Sequence, residues 1–261
     1  MSDSTPLKQG TTKQVTAALV IIGDEILSGR TRDANLPYLA TWLNARGIVL
    51  GEVRIVPDRM SAIVEAVNAL RTRFDYVFTT GGIGPTHDDI TAEAIAEAFG
   101  VPLEYDDEAV RRLSAHYPPG GLTPARKRMA RVPGSGTLID NPVSVAPGFQ
   151  IENVFVLAGV PEIMRVMLDS LAHRLIGGEP MQAATLEIPM PESAFAGPLA
   201  AVAAAHPAVA IGSYPYYRDG HAGIHVVVRA TDADAIRAAV DAVAAAARDM
   251  GVEPRHETQE G

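Results

Sequence analysis

DYVFTTGGIGPTHDDIT, residues 75–91, reads as a strand, a loop and the start of a helix. Tyr76–Thr80 is β-rich and apolar enough for the interior of a parallel sheet, and Thr91-Ala92-Glu93 opens a helical pattern. Between them lie three glycines, a threonine, a histidine and two adjacent carboxylates. Gly81, Gly82 and Gly84 allow positive φ and close approach, so backbone N–H groups can surround an anion such as phosphate. Asp88 and Asp89 cannot bind phosphate themselves. They suit a divalent cation that bridges to phosphate oxygens, because such ions take one or two carboxylates plus substrate oxygens. The plainer alternative is that one of them caps the following helix, which would need neither the second carboxylate nor three glycines. The place of the motif, where a strand ends and a helix begins, is the ligand crevice of open α/β sheets and favours function.

On either side of this stretch the same pattern repeats. Val15–Ile22 reads as a buried strand that runs into the loop Gly23–Asp33, so Gly23, Asp24 and Glu25 sit at a strand's carboxyl end. Asp33 or Asn35 starts a helix that ends at Gly47, and Asn35 reads as a cap rather than a ligand contact. Ile48–Val56 is a second strand and Pro57-Asp58 ends it, which brings Asp58 to the same crevice. A helix through Ile63, Val67 and Leu70 leads to the strand Tyr76–Thr80, and a further helix stops at Gly100. Three β-α units in succession predict right-handed crossovers and a parallel sheet with helices on both faces.

Beyond Gly100 the pattern loosens. Asp106 caps a helix through His116, Thr123-Pro124 opens a short basic helix, and Leu138–Gly148 reads as a loop. Phe149–Leu157 is a hairpin turning at Glu152-Asn153, followed by a helix from Glu162 to Ile176. Gly177-Gly178-Glu179-Pro180 is the best linker. After it come a strand (183–188), an Ala-rich helix (199–205), two strands (209–214 and 224–230) and a final helix from Ala233, with a loose end after Pro254. The expected division is a flexible tail over 1–13, a large α/β domain over 14–178 and a small α+β domain over 179–261.

Composition sets outer limits. Of the 261 residues 47% are hydrophobic, enough for real cores, and a net charge of −9 argues against general nucleic-acid binding. Cysteine is absent, so disulfides and thiol chemistry are ruled out. The polar start lacks the apolar stretch of a signal peptide and no apolar run approaches the ~18 residues of a membrane span. A cytoplasmic location is expected.

Several motifs together resemble one family. Gly23-Asp24-Glu25-Ile26-Leu27-Ser28-Gly29, Asp33-Ala34-Asn35, Val56-Pro57-Asp58, Thr79–Thr91, Asn141-Pro142 with Ala146-Pro147-Gly148-Phe149, and Gly159-Val160-Pro161 are similar to the molybdopterin-binding-like domain of the CinA (competence/damage-inducible protein A) family, over residues 15–176. The resemblance implies a three-layer α/β/α fold with a mostly parallel sheet, a crevice for a nucleotide or pterin phosphate, and homo-oligomers, either dimer or trimer. In CinA proteins it also implies metal-dependent hydrolysis of the ADP-ribose pyrophosphate. Residues 183–250 resemble the small KH-like α+β domain that comes next in that family. They show no GXXG loop and no basic surface, so no nucleic-acid partner is expected. CinA proteins commonly continue into a nicotinamide-mononucleotide deamidase domain; these 261 residues end before it, and that activity is not expected of them. The family's usual Gly-Thr before Ala-Pro-Gly is here Ser144-Val145.

Three functional readings are open. In the first, a CinA-type pyrophosphatase holds a divalent metal (Mg, Mn or Co) on Asp58 and Asp89, with Asp88 or Asp24 orienting it or its water, and Asp58, Asp89 and Asp88 are the catalytic set. Gly81, Gly82, Gly84 and Thr86 would hold the phosphates, Asp24 or Glu25 the ribose hydroxyls, and Gly23, Asn141 and Gly159 complete the substrate set. The second is a molybdopterin-handling protein of molybdenum cofactor biosynthesis. The third is a module that holds a nucleotide without turnover. Arg126, Lys127, Arg128 and Arg131 either reach phosphate across the crevice or form a solvated face, and His87 either acts as an acid or points to solvent.

Overall fold

In the computed structural model, which describes residues 14–218 and 220–257, VTAALVII forms β1 (Val15–Ile22), and its alternate residues are buried in two different cores. Ala18, Val20 and Ile22 face one cluster, Ala17, Leu19 and Ile21 the other. Successive side chains of a strand point to opposite faces, so a strand with no polar face must be covered on both. The expected 1–13 tail lies outside the described residues.

The chain continues through a helical turn α1 (Asp24–Leu27), α2 (Asn35–Asn44), β2 (Ile48–Val56), α3 (Met60–Arg71), β3 (Tyr76–Thr80) and α4 (Thr91–Phe99). Then come β4 (Leu103–Tyr105), α5 (Asp107–His116), α6 (Pro124–Lys127), a 3-10 turn Arg128–Ala130, and the strands β5 (Arg131–Pro133), β6 (Thr137–Ile139), β7 (Gly148–Ile151) and β8 (Val154–Leu157). The helix α7 (Pro161–Leu171) completes this part. The main sheet has the order β2-β1-β3-β8-β7-β6, parallel from β2 to β8 and antiparallel from β8 to β6. Val77 of β3 joins α3 and α4 in one layer; Phe78 and Phe155, stacked with centroids 5.2 Å apart, join α2 and α7 in the other. Each fully buried aliphatic or aromatic side chain contributes about 1.5–3 kcal/mol. The two layers therefore hold β1, β3 and β8 from both sides, and the carboxyl ends of these strands open on one edge.

The described residues divide between Gly178 and Glu179 into two compact units. The second contains β9 (Gln182–Ile188), α8 (Glu192–Ala205), β10 (Ala210–Arg218), β11 (His221–Ala230), α9 (Ala233–Asp249) and β12 (Arg255–Glu257), in an antiparallel sheet of order β10-β11-β9-β12. This β-α-β-β-α-β order is that of a split βαβ unit. Leu186, Ile224, Val226 and Val228 pack with Ile236, Val240 and Val243 of α9.

Four local expectations are corrected. The loop after β1 contains the turn α1, because Ser28, Leu27 and Ile26 N–H groups fold back onto Asp24 and Gly23 carbonyls. Thr137–Ile139 is a strand rather than loop, paired with β7. Within the end expected to be loose after Pro254, Arg255–Glu257 pairs with the edge of β9, and residues 258–261 lie outside the described residues. The Ala-rich helix begins at Glu192, with Pro198 inside it and Phe195 fully buried, so packing offsets the hydrogen bond a mid-helix proline removes.

Candidate functional site

Parallel pairing of β2, β1, β3 and β8 brings four loops to one edge of the sheet. They enclose a cavity of about 550 Å3, within the size range of small-molecule sites, about 300–1,000 Å3. Of the residues singled out in the sequence, Gly23, Glu25, Asp58, Gly81, Gly82, Gly84, Asp88, Asp89, Asn141 and Gly159 line it; Asp24 and Thr86 do not.

The glycines are demanded first by the protein's own backbone. Gly81 has φ 102°, and a Cβ there would stand 2.2 Å from the Ile22 carbonyl oxygen. Gly82 has φ 67°, and a Cβ would meet the Thr91 hydroxyl at 2.2 Å. Side chains rarely adopt that conformation and neither neighbour can withdraw, so only glycine lets the end of β3 pass so close to β1 and to α4. Gly84, outside the left-handed region, is instead crowded by the Asp89 carboxylate, 2.6 Å from an added Cβ. The Thr91 hydroxyl, fully buried, donates to the Gly81 carbonyl at 2.9 Å and ties the first turn of α4 to the loop.

The carboxylates are held from behind. Asp58 caps no helix of its own; its Oδ2 accepts from the Asp24 amide at 2.9 Å, joining the ends of β1 and β2. Asp89 is not a helix cap either, and its Oδ2 accepts from the Thr86 amide at 2.8 Å and from the Thr86 hydroxyl. Thr86 therefore stands outside the cavity as the support of Asp89. Burial pushes the Asp58 carboxyl above its ordinary value, and the nearby charges of Glu25, Asp24 and Asp88 push the same way against the Asp24 amide bond. His87 points to solvent, its side chain 96% exposed.

Among the described residues the carboxylates of Glu25, Asp58, Asp88 and Asp89 line the cavity and no Lys or Arg does. Among the described residues no three His, Cys, Asp or Glu side chains form a group that would hold a metal ion by themselves. The donor set fits a cation shared between one or two carboxylates and a ligand's phosphate, not an all-protein cage.

The basic turn reaches the cavity with none of its four side chains. Arg126 lies over the Tyr117 ring at 4.3 Å, Lys127 over Tyr105 at 4.8 Å, and Arg128 and Arg131 both pair with Glu93. Asn35 is not a cap: Asp33 accepts from the Leu36 amide at 2.7 Å, while Asn35, buried, donates to the Gly159 carbonyl at 2.8 Å. Asn141, also buried, spends its amide on the loop it begins, donating to Ser144 and Ala146 and accepting from the amides of Val143 and Ser144. The sequence reading missed the apolar part of the lining, made by Ile83, Met129, Ala158, Val160 and Ile163. The available signal was the place of Ala158 and Val160 just past a strand's carboxyl end, where Val160 proves 54% exposed.

Comparison with known proteins agrees with this geometry. Residues 18–177 match the family model described as "Probable molybdopterin binding domain", and residues 180–255 match "FAD synthase, middle domain". A "Probable FAD synthase" of Caenorhabditis briggsae is 35% identical over 226 residues, covering 77% of this chain and 43% of that protein. A "CinA-like protein" of Citrifermentans bemidjiense is 41% identical over 158 residues, covering 58% of this chain and 38% of that one. The crystal structure of CinA from Thermoplasma acidophilum, a protein of unknown function, superposes with a TM-score of 0.58 at 32% identity over 62% of this chain and 99% of that one. The chain spans 63% of the length of a Pyrobaculum arsenaticum relative and less of the C. briggsae and C. bemidjiense proteins. The segment after Gly178 is thus similar to a part of FAD synthases, not to a deamidase. Among the described residues no helix is long and apolar enough to cross a membrane.

Proposed function

Because the chain belongs to the family described as "Probable molybdopterin binding domain", we propose that its larger unit binds a phosphorylated pterin, or a nucleotide of similar shape, in the cavity at the carboxyl ends of β1, β2, β3 and β8. The observation that carries this reading is the mixed lining of one cavity. Ile83, Met129, Ala158 and Ile163 supply apolar surface that suits a flat heteroaromatic ring, and the glycine loop and four carboxylates supply the polar part. The ring packs on the apolar residues and the phosphate lies over the Gly81–Gly84 backbone. Asp58 and Asp89 hold a divalent cation (Mg, Mn or Co) together with the phosphate, since an anion cannot otherwise enter a site lined by carboxylates and no cation. When bound, the cation supplies charge neutralisation and electrophilic activation at the phosphate. Asp88 and Glu25 orient the ligand's polar groups, and Thr86 keeps Asp89 in place.

The test is a calorimetric titration with a pterin phosphate, AMP and ADP-ribose, each with and without magnesium, on the wild type and Asp89→Asn. Binding of at least one probe that needs magnesium and weakens about tenfold or more in the variant is the expected result. No heat with any probe under either condition would sink the proposal.

Pyrophosphate hydrolysis is a second reading of the same cavity, favoured by the crowding of Asp58 against Glu25, Asp24 and Asp88 that a cation would relieve. ³¹P NMR after incubation with ADP-ribose and magnesium, manganese or cobalt decides it: AMP and ribose phosphate in the wild type but not in Asp89→Asn support turnover. An unchanged spectrum with bound nucleotide leaves a binding role alone.

A further inference from the structure

The tip of the central loop, Pro85–Asp88, is exposed, yet it must present Asp88 and Asp89 to the cavity in a fixed place. Inside the tip, its support is the pair of bonds from Thr86 to the Asp89 carboxylate. From outside, one side chain reaches it. Arg128 donates through Nη1 to the Thr86 carbonyl at 3.1 Å and through Nη2 to the Asp89 carbonyl at 3.4 Å. The same Nη2 stands 3.2 Å from Glu93 Oε1, in the first turn of α4, an oxygen that Arg131 also binds. Among the described residues no other side chain from beyond the loop hydrogen-bonds to residues 84–90.

Resting on the ligand reading above, we propose that Arg128 is a positioning residue: its guanidinium clamps both ends of the Thr86–Asp89 turn and so sets Asp88 and Asp89 opposite Asp58. Arg128 does not line the ligand cavity. It lines a separate space of about 20 Å3 behind Gly82–Gly84, with Asp89 in the wall of both. Its effect on a ligand therefore passes through the loop. The planar fork matters, because one group must satisfy two carbonyls and a carboxylate in fixed directions; a lysine ammonium is a single point of charge on a flexible stem. The sequence offered this arginine either as a phosphate contact or as part of a solvated face; its side chain, 29% exposed, is turned to the loop and to Glu93.

Arg128→Gln and Arg128→Lys are compared with wild type, and Arg131→Gln serves as the control, since it shares Glu93 but touches no loop carbonyl. Two readouts are taken: amide hydrogen exchange over residues 84–90, and magnesium-dependent binding of ADP-ribose, AMP and a pterin phosphate. The expected result is exchange at least tenfold faster in both Arg128 variants and binding at least tenfold weaker, with Arg131→Gln within twofold of wild type in both. Unchanged exchange in Arg128→Gln overturns the clamp. Faster exchange with unchanged affinity overturns the positioning role, and equal damage in Arg131→Gln assigns the effect to pairing with Glu93 instead. A wild type that binds none of the three probes overturns the ligand reading itself, a result distinct from variants that bind as well as wild type.

Discussion

Val145 holds φ at 68°, a left-handed conformation that a β-branched side chain rarely adopts, in the loop that Asn141 organises beside the cavity. Such a conformation costs roughly 1–2 kcal/mol for a residue with a Cβ, while glycine there loses about 0.5–1 kcal/mol to the entropy of the unfolded chain. Val145→Gly is therefore expected to stabilise the protein, by on the order of 0.5–1 kcal/mol in urea unfolding. A loss of stability would mean that the valine's packing outweighs its strain. Asp58 carries a cost of a different kind. Its folded-state carboxyl is raised above the ordinary 3.8, so the folded protein holds this proton more tightly than the unfolded chain does, and stability from this group falls as pH rises above that value. Asp58→Asn keeps an acceptor for the Asp24 amide and removes the repulsion from Glu25, Asp24 and Asp88. The variant is expected to be more stable than wild type at pH 7, by on the order of 0.5 kcal/mol after solvent screening, with the difference vanishing below pH 3.8, while magnesium-dependent binding is lost. Thermal melts across pH check this; a variant no more stable at pH 7 would mean that the crowding of carboxylates is already relaxed by solvent.

Elements were legible where one physical rule acts alone. β1 and β8 have apolar residues at almost every position, and β3 over Tyr76–Phe78, because both faces are covered, and that run is visible without a fold. The cap of α5 by Asp106, which accepts from the Ala109 amide at 2.8 Å, was equally local. The short strands β4, β5, β6 and β12 carry three residues each, too few for a period of two to show, and exist because a partner strand offers a free edge. The site divides in the same way. Glycines and carboxylates at strand ends could be read from their positions, and ten of the residues chosen from the sequence line the cavity. The placement of Asn35, whose amide bridges 124 positions to Gly159, and of the apolar lining from Met129 and Ile163 depends on how β8, α7 and the turn at Arg128 fold back. The sequence places Asp33 and Asn35 equally near the helix start, and only the buried contact to Gly159 assigns the cap to Asp33.

At the scale of the whole molecule, the buried clusters separate with the units. Those around β1 and β3 contain only residues before Gly178, and that of the second unit only residues after it. Every described residue lining the cavity also lies before Gly178. A chain ended after Gly178 retains the six-stranded sheet, both of its helical layers and the complete cavity lining, with a length ample for an independent core. It is expected to fold cooperatively and to bind the same magnesium-dependent probe within about twofold of the full chain. The remaining part, from Glu179, depends on one cluster and on closure of the β9 edge by three residues of β12, and is expected to be the less stable piece when made alone. Far-UV circular dichroism and calorimetry on both pieces make the comparison. If the first piece folds but binds at least tenfold more weakly than the full chain, the second unit contributes to the ligand site, and the assignment of binding to the larger unit alone is wrong.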